Sequence, residues 1–224
     1  MKKGVIIVAG GSGHRMGGHI PKQYLDLEGK PVIVRTLDRF FDFDPQIKIV
    51  LVLAPGHMEF WNTISKNYNY GSGIDVTRGG ESRYRSVKNG LKLMRDGLLL
   101  GIHDAVRPLV SHHTLKQCYE IAAEKGSCIP VTEMDETVRM VREQGYSEHL
   151  DRSILKRVQT PQVFKSELIR KAYDQPYKPS FTDDASVFES IYGEVSMVEG
   201  NMENIKITTP IDLQLAALLI RSME

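Results

Sequence analysis

Residues 4–16 read GVIIVAGGSGHRM, a continuously apolar, β-branched run that ends in a glycine-rich turn. A strand apolar at every position is one buried on both faces. Three similar runs follow: IKIVLVLAP (47–55), GLLLGIHDAV (97–106) and GSCIPVT (126–132). Between them PVIVRTLDRFF (31–41), SRYRSVKNGLKLM (82–94) and HTLKQCYEIAAEKG (113–126) repeat apolar residues every three and four, as Tyr84, Val87, Leu91 and Met94 do. This alternation predicts an α/β fold, a mostly parallel sheet with helices on both faces. The connection from 4–10 to 47–55 is long enough for a right-handed crossover. At the other end TPIDLQLAALLIRSME opens with Thr209-Pro210 and an acid, a helix start.

The 224 residues are expected to form a single domain, 1–224, with 41% hydrophobic and 25% charged residues, ordinary for a globular core. Lys and Arg total 29 against 28 Asp and Glu, a net charge of +1. That balance argues against a nucleic-acid coat or a polybasic membrane binder, so any basic site must be local. No apolar run approaches the ~20 residues that span a bilayer. The leading MKKGVIIVAGG runs into glycines instead of a cleavage site, unlike a signal peptide. Cys118 and Cys128 make neither a disulfide framework nor a zinc set. These features read as a cytoplasmic chain that contacts neither nucleic acid nor membrane.

One segment breaks the rhythm. ETVRMVREQGYSEHLDRS (136–153) reads as two extended pieces around Gln144-Gly145-Tyr146, with neither face cleanly apolar. A hairpin this polar is not stable alone. It is expected to protrude as a β-arm, at about 133–155, and to pack on a second subunit.

The chemistry-bearing clusters start at the first turn. AGGSGHRM (9–16) lets backbone N–H groups approach a phosphate ahead of a helix N-terminus. It is not a Walker loop, since no Lys-Ser or Lys-Thr follows, and Met16 breaks the dinucleotide fingerprint that Gly11 and Gly13 begin. Glycines alone are weak evidence; Arg15 inside the turn and Lys22 just beyond it strengthen the reading. Two fixed cations suit a triphosphate under attack at its α-phosphorus. Gly79-Gly80-Glu81-Ser82 precedes the helix at 82–94 and permits close approach of a flat base, with Ser82 able to serve simply as the N-cap. His103-Asp104-Ala105-Val106-Arg107 ends a buried strand, where ligands of open α/β sheets sit. Asp104 could hold magnesium or ribose hydroxyls, or merely pair with Arg107, while His103 reads as structural. Thr182 or Asp183 would cap a following helix, and Lys206 could be a solvated charge. No Ser-His-Asp, Cys-His or HExxH signature is present.

Taken in order, AGGSGHRM, PKQYL, GGESRYRSV, HDAVRP, DRS with TPQVF, TDDAS and VEGNMENIKIT resemble the 2-C-methyl-D-erythritol 4-phosphate cytidylyltransferase family over residues 4 to about 218. The resemblance implies a Rossmann-like nucleotidyltransferase fold and transfer of a cytidylyl group from CTP, with magnesium, to a polyol phosphate of the isoprenoid methylerythritol-phosphate pathway. By motif position, Arg15 and Lys22 match the pair that stabilises the transition state at the α-phosphate. Ala9, Gly10, Gly11 and Gly13 match the turn that holds CTP, and Gly80, Glu81 and Ser86 the segment that reads cytosine. Asp104 matches a contact to ribose and metal, and Arg107 to the acceptor. Thr137, Arg152, Thr160, Thr182 and Lys206 match acceptor-binding and positioning residues, and the arm matches one that hooks around a partner in a homodimer. Ala9-Gly10-Gly11 departs from the family's frequent Ala-Ala-Gly. Ribitol-5-phosphate cytidylyltransferases share nearly all these motifs; Arg83, Ser86 and Val87 lean toward the methylerythritol enzymes. A nicotinamide-dependent dehydrogenase is disfavoured by the broken fingerprint and by Arg15.

Overall fold

The computed structural model describes residues 1–10, 20–70 and 73–223. β1 (Lys2–Ala9) is followed by a 3-10 turn (Lys22–Tyr24), a short hairpin of β2 (Asp26–Leu27) and β3 (Lys30–Pro31), and α1 (Val32–Phe43). Next come β4 (Lys48–Leu53), α2 (Met58–Asn67), β5 (Ile74–Arg78), α3 (Arg83–Leu91), β6 (Leu98–Asp104), α4 (His112–Lys125) and β7 (Ser127–Glu133). The last part holds β8 (Val138–Val141), β9 (Ser147–Leu150), β10 (Lys156–Val158), β11 (Gln162–Lys165), α5 (Ser166–Ala172), α6 (Asp184–Tyr192), β12 (Met197–Glu199) and α7 (Pro210–Met223).

The main sheet runs β10-β7-β11-β6-β1-β4-β5, with β12 paired to β7. Its centre is parallel, as the apolar runs predicted: β1 pairs in parallel with β4 and β6, and β4 with β5. β11 lies antiparallel between β6 and β7, and β10 is antiparallel to β7. Register brings the strand ends into line, with Val8 opposite Asp104 and Ala9 opposite Leu53.

Both faces are covered. Val5 and Ile7 point to one side, into a core with Leu37 and Phe40 of α1 and Leu115 and Tyr119 of α4. Ile6 points to the other, where α3, α5 and α6 supply Val87, Leu91, Ile169 and Phe188. Successive strand residues alternate faces, so one uninterrupted apolar run serves both cores. Gly90 lets α3 settle on the sheet: a Cβ there would lie 2.7 Å from Ile6 Cγ2 and 3.0 Å from Val52 Cγ2. α7 closes a third cluster with Leu27, Val32, Leu109 and Ile207.

Helix starts follow local chemistry. Ser82 caps α3 by accepting from Arg85 N, and Ser111 caps α4 by accepting from Thr114 N. Asp183, not Thr182, caps α6, in a reciprocal box with Ser186.

β8 and β9 pair only with each other among the described residues, from Val138 opposite Leu150 to Val141 opposite Ser147. Gln144 and Gly145 turn this hairpin with positive φ of 58° and 82°. It lies within the expected arm. Val138, Met140 and Leu150 are half-buried, while Val141 and Tyr146 stand 81% and 72% exposed.

Candidate active site

A cavity of about 490 Å³ opens at the carboxyl ends of β1 and β6. Ala9 and Gly10 line it from the end of β1, Lys22 and Gln23 from the 3-10 turn, and Asp104 from the end of β6. Gly80, Glu81, Ser82, Arg83 and Ser86 line it from the start of α3, and Lys206 closes it from the segment before α7. A larger groove, about 830 Å³, lies at the opposite strand ends around Lys2, Lys48 and Leu98, away from these clusters.

Ser86 organises one wall. Its Oγ accepts from Gly80 N at 3.1 Å and donates to Ser82 O at 2.9 Å. A Cβ on Gly79 would stand 2.9 Å from that Oγ, and one on Gly10 3.1 Å from it. Here the absence of a side chain sets how closely the two turns approach. The departure to Gly10 eases a tight contact.

The 3-10 turn is tied to both neighbours. Gln23 Nε2 donates to Ala9 O at 3.2 Å and lies 3.1 Å from His57 Nδ1. Lys22 Nζ donates to Ile207 O at 3.0 Å, next to Lys206 in the chain. Two lysines nearly two hundred residues apart thus reach the same rim.

Asp104 is the electrostatic centre. Its Oδ2 lies 2.9 Å from Lys206 Nζ and 3.5 Å from Arg107 Nε, and its Oδ1 is 3.5 Å from Arg83 Nε. Burial alone would raise its pKa, but Arg83, Lys206 and Arg107 together hold the carboxyl well below its usual range. The local Asp104–Arg107 pair and the wider cluster therefore coexist. Lys206 is half in water, yet it is engaged with Asp104. Arg107 also donates to Asn204 O at 2.7 Å.

Beneath this cluster His103 is fully buried, with Nδ1 3.0 Å from Thr160 Oγ1, Nε2 3.0 Å from Arg107 O and its ring edge-on to Phe40. Burial pushes its pKa down to about 4, so it is neutral and structural. Thr160 Oγ1 also accepts from Asp104 N at 3.2 Å, which turns this hydroxyl inward, away from the cavity.

Of the residues singled out from sequence, Ala9, Gly10, Lys22, Gly80, Glu81, Ser86, Asp104 and Lys206 line one cavity, with Arg107 directly behind Asp104. Gly11, Gly13 and Arg15 lie outside the described residues. Thr137 and Arg152 stand exposed at the two ends of the arm, and Thr182 is exposed ahead of the α6 cap. Sequence reasoning missed Gln23, Arg83 as a charge partner, Asn204 and the wholly buried Asp184.

Among the described residues no group of three or more His, Cys, Asp or Glu side chains could hold a metal ion. The cavity carboxylates are Asp104 and Glu81. Asp104 Oδ1, whose 3.5 Å contact to Arg83 is too long for a strong hydrogen bond, keeps lone pairs available to a hard cation. Such a donor set suits a magnesium ion carried mainly by phosphate oxygens.

A mostly parallel sheet covered on both faces, with cations and a close-packed glycine turn at its carboxyl rim, is the Rossmann-like nucleotidyltransferase fold. The chain belongs to the 2-C-methyl-D-erythritol 4-phosphate cytidylyltransferase family, whose sequence model matches residues 4–222. The enzyme of that name from Phocaeicola vulgatus is 49% identical over 220 residues, 98% of this chain and 100% of that protein. The one from Bacteroides thetaiotaomicron is 46% identical over 220 residues, with the same coverage. Among solved structures, 4-diphosphocytidyl-2C-methyl-D-erythritol synthase from Anaerococcus prevotii superposes with a TM-score of 0.84 at 28% identity, covering 98% of this chain and 96% of that one. The Francisella tularensis cytidylyltransferase gives 0.81 at 33% identity, covering 97% and 99%.

Proposed function

We propose that this chain transfers the cytidylyl group of CTP to 2-C-methyl-D-erythritol 4-phosphate, giving 4-diphosphocytidyl-2-C-methyl-D-erythritol and diphosphate. The observation that carries this reading is the convergence of Lys206, Arg83 and Arg107 on Asp104 at the rim of the sheet, in the cavity that Lys22 also lines.

The chemistry needs no protein nucleophile. An oxygen of the acceptor's phosphate, largely ionised at neutral pH, attacks the α-phosphorus of CTP. A new P–O bond forms, the bond to the β-phosphate oxygen breaks, and diphosphate leaves with the electron pair. The protein must bring two polyanions together, align them and offset their charge. Ala9, Gly10, Gly11 and Gly13 hold the triphosphate, Gly80, Glu81 and Ser86 read the base, and Lys22 with Arg15 stabilises charge growing at the α-phosphate. Asp104 takes the ribose and would hold magnesium, which supplies further charge neutralisation on the phosphates. Lys206 and Arg107 face the acceptor. Thr182 serves the acceptor too, and Thr160 acts through the backbone N–H of Asp104 that it holds.

Thr137 and Arg152 serve an acceptor site by a different route. They flank the hairpin, whose exposed Val141 and Tyr146 suit burial against a second copy. In the proposed homodimer each arm carries them to the partner's cavity. The chain works in the cytoplasm, where CTP is available.

The test is diphosphate release from CTP with magnesium, offering methylerythritol 4-phosphate and ribitol 5-phosphate separately. Turnover with the first and little with the second is expected. Equal or faster turnover with ribitol 5-phosphate overturns the acceptor assignment, and no release with either overturns the transferase reading.

A further inference from the structure

Asp184, the first residue of α6, is wholly buried and takes no part in the transfer chemistry. Its Oδ1 accepts from the Tyr173 hydroxyl at 2.6 Å, and its Oδ2 from Arg83 Nη2 at 2.6 Å. Arg83 turns a different nitrogen, Nε, toward Asp104 Oδ1 at 3.5 Å and lines the cavity. One guanidinium thus bridges two carboxylates, and the buried one holds it at the shorter distance.

The bridge is anchored to the strand that carries Asp104. Gln162 Oε1 accepts from Asp184 N at 2.9 Å and Ala185 N at 2.8 Å, while its Nε2 donates to Asp183 Oδ2 at 2.7 Å. Gln162 pairs with Ile102, two residues before Asp104. The start of α6 is therefore fixed relative to the end of β6.

An arginine with one carboxylate partner closes on it as a two-pronged pair and occupies its oxygens. We propose that Asp184 is a positioning residue for CTP binding: it holds Arg83 back from Asp104, so that Asp104 keeps an oxygen free for the bound nucleotide. The use of CTP rests on the proposed function; the bridge itself does not.

The test compares Asp184→Asn, Tyr173→Phe and Arg83→Lys with wild type, reading melting temperature, CTP affinity by calorimetry, and the separate KM values for CTP and acceptor. Asn conserves shape and hydrogen-bonding capacity but removes the counter-charge. Tyr173→Phe removes a bond to the same carboxylate and leaves the Arg83 bridge. Lys keeps the charge on a single nitrogen, so it cannot close on Asp104 as a two-pronged pair. The expected result is a loss of about tenfold or more in CTP affinity and kcat/KM for Asp184→Asn, with acceptor KM nearly unchanged. Arg83→Lys should bind CTP nearly normally and, combined with Asp184→Asn, should restore much of the lost affinity, since no two-pronged pair can then close on Asp104. Tyr173→Phe should bind CTP normally whatever its stability. Unchanged CTP affinity in Asp184→Asn, or parallel losses of stability and affinity in Asp184→Asn and Tyr173→Phe, overturns the proposal. Should Asp184→Asn fail to fold, Asp184→Glu decides alone: it keeps the counter-charge that holds Arg83, so CTP affinity near that of wild type supports the proposal and a tenfold loss overturns it. Calorimetry needs no turnover, so an idle wild type that still binds CTP would fail the transferase reading and not this one.

Discussion

Asp104→Asn removes one negative charge from the centre of the site while keeping the side chain's size. The carboxylate is 7% exposed and sits 2.9 Å from Lys206 and 3.5 Å from both Arg83 and Arg107. Removing one partner of a buried ion pair costs ~3–5 kcal/mol, because the charge left behind stays desolvated. The Lys206 side chain is 42% exposed and can turn to water, whereas Arg107 at 12% cannot. Solvent therefore recovers part of the loss, and about 3 kcal/mol is expected. For a chain of this size each kcal/mol moves Tm by ~2–4 °C, so the variant should melt about 6–12 °C lower. The pH dependence has a definite sign. The folded carboxyl titrates below its ordinary value of 3.8, so its stabilisation is full above that value and is lost as pH falls from there through the lower folded value. Calorimetric melting should show a gap that is constant through neutral pH and closes under acid. A gap below about 2 °C at neutral pH, or one that widens on acidification, would refute the reasoning.

Lys22→Ala should lower kcat by ~10²–10³-fold with a much smaller effect on CTP binding, since its partner charge grows in the transition state; a normal kcat with raised KM would contradict this. Lys22→Ala and Arg152→Ala chains refolded together should regain about a quarter of wild-type activity if Arg152 serves the partner's site. Activity that stays at the single-variant level, with mixed dimers confirmed by mass, would place Arg152 in its own chain. Gly90→Ala gains ~1 kcal/mol of helix propensity but forces a Cβ against Ile6 and Val52 at a cost of ~1–3 kcal/mol. A lower denaturation midpoint is expected, and a higher one would contradict the close packing. The His103 imidazole, followed by NMR, should titrate at about 4; a midpoint at the ordinary 6.5 would contradict its burial.

Strands buried on both faces were the most legible elements. The runs at 4–10, 47–55, 97–106 and 126–132 became β1, β4, β6 and β7 with ends moved by only a residue or a few, because continuous apolarity is a local signal. β11 was not legible. QVFK is too short to show a period, and its central place comes from pairing with β6 and β7, far away in sequence. β5, α2 and α5 were likewise not assigned, and of α6 only the start was, through its cap. The rim residues Gly80, Ser86, Asp104 and Lys206 were visible because each sits in a distinctive short motif. Asp184 was not separable from Asp183: one caps α6 and the other pairs with Arg83, a residue 101 positions earlier. Gln162 gave one faint signal, a polar residue inside an apolar TPQVF stretch, and it is fully buried.

Transfer at the α-phosphorus by the acceptor's own phosphate is tested most directly by isotope position. The acceptor is prepared with heavy oxygen throughout its phosphate group, turned over with CTP, and the products are read by phosphorus NMR. All label should remain in the cytidylyl product, one labelled atom bridging its two phosphorus atoms, with none in the released diphosphate, and Lys22→Ala should form the same product more slowly. Label in the diphosphate, or an unlabelled bridge, would contradict direct attack by the acceptor in this cavity.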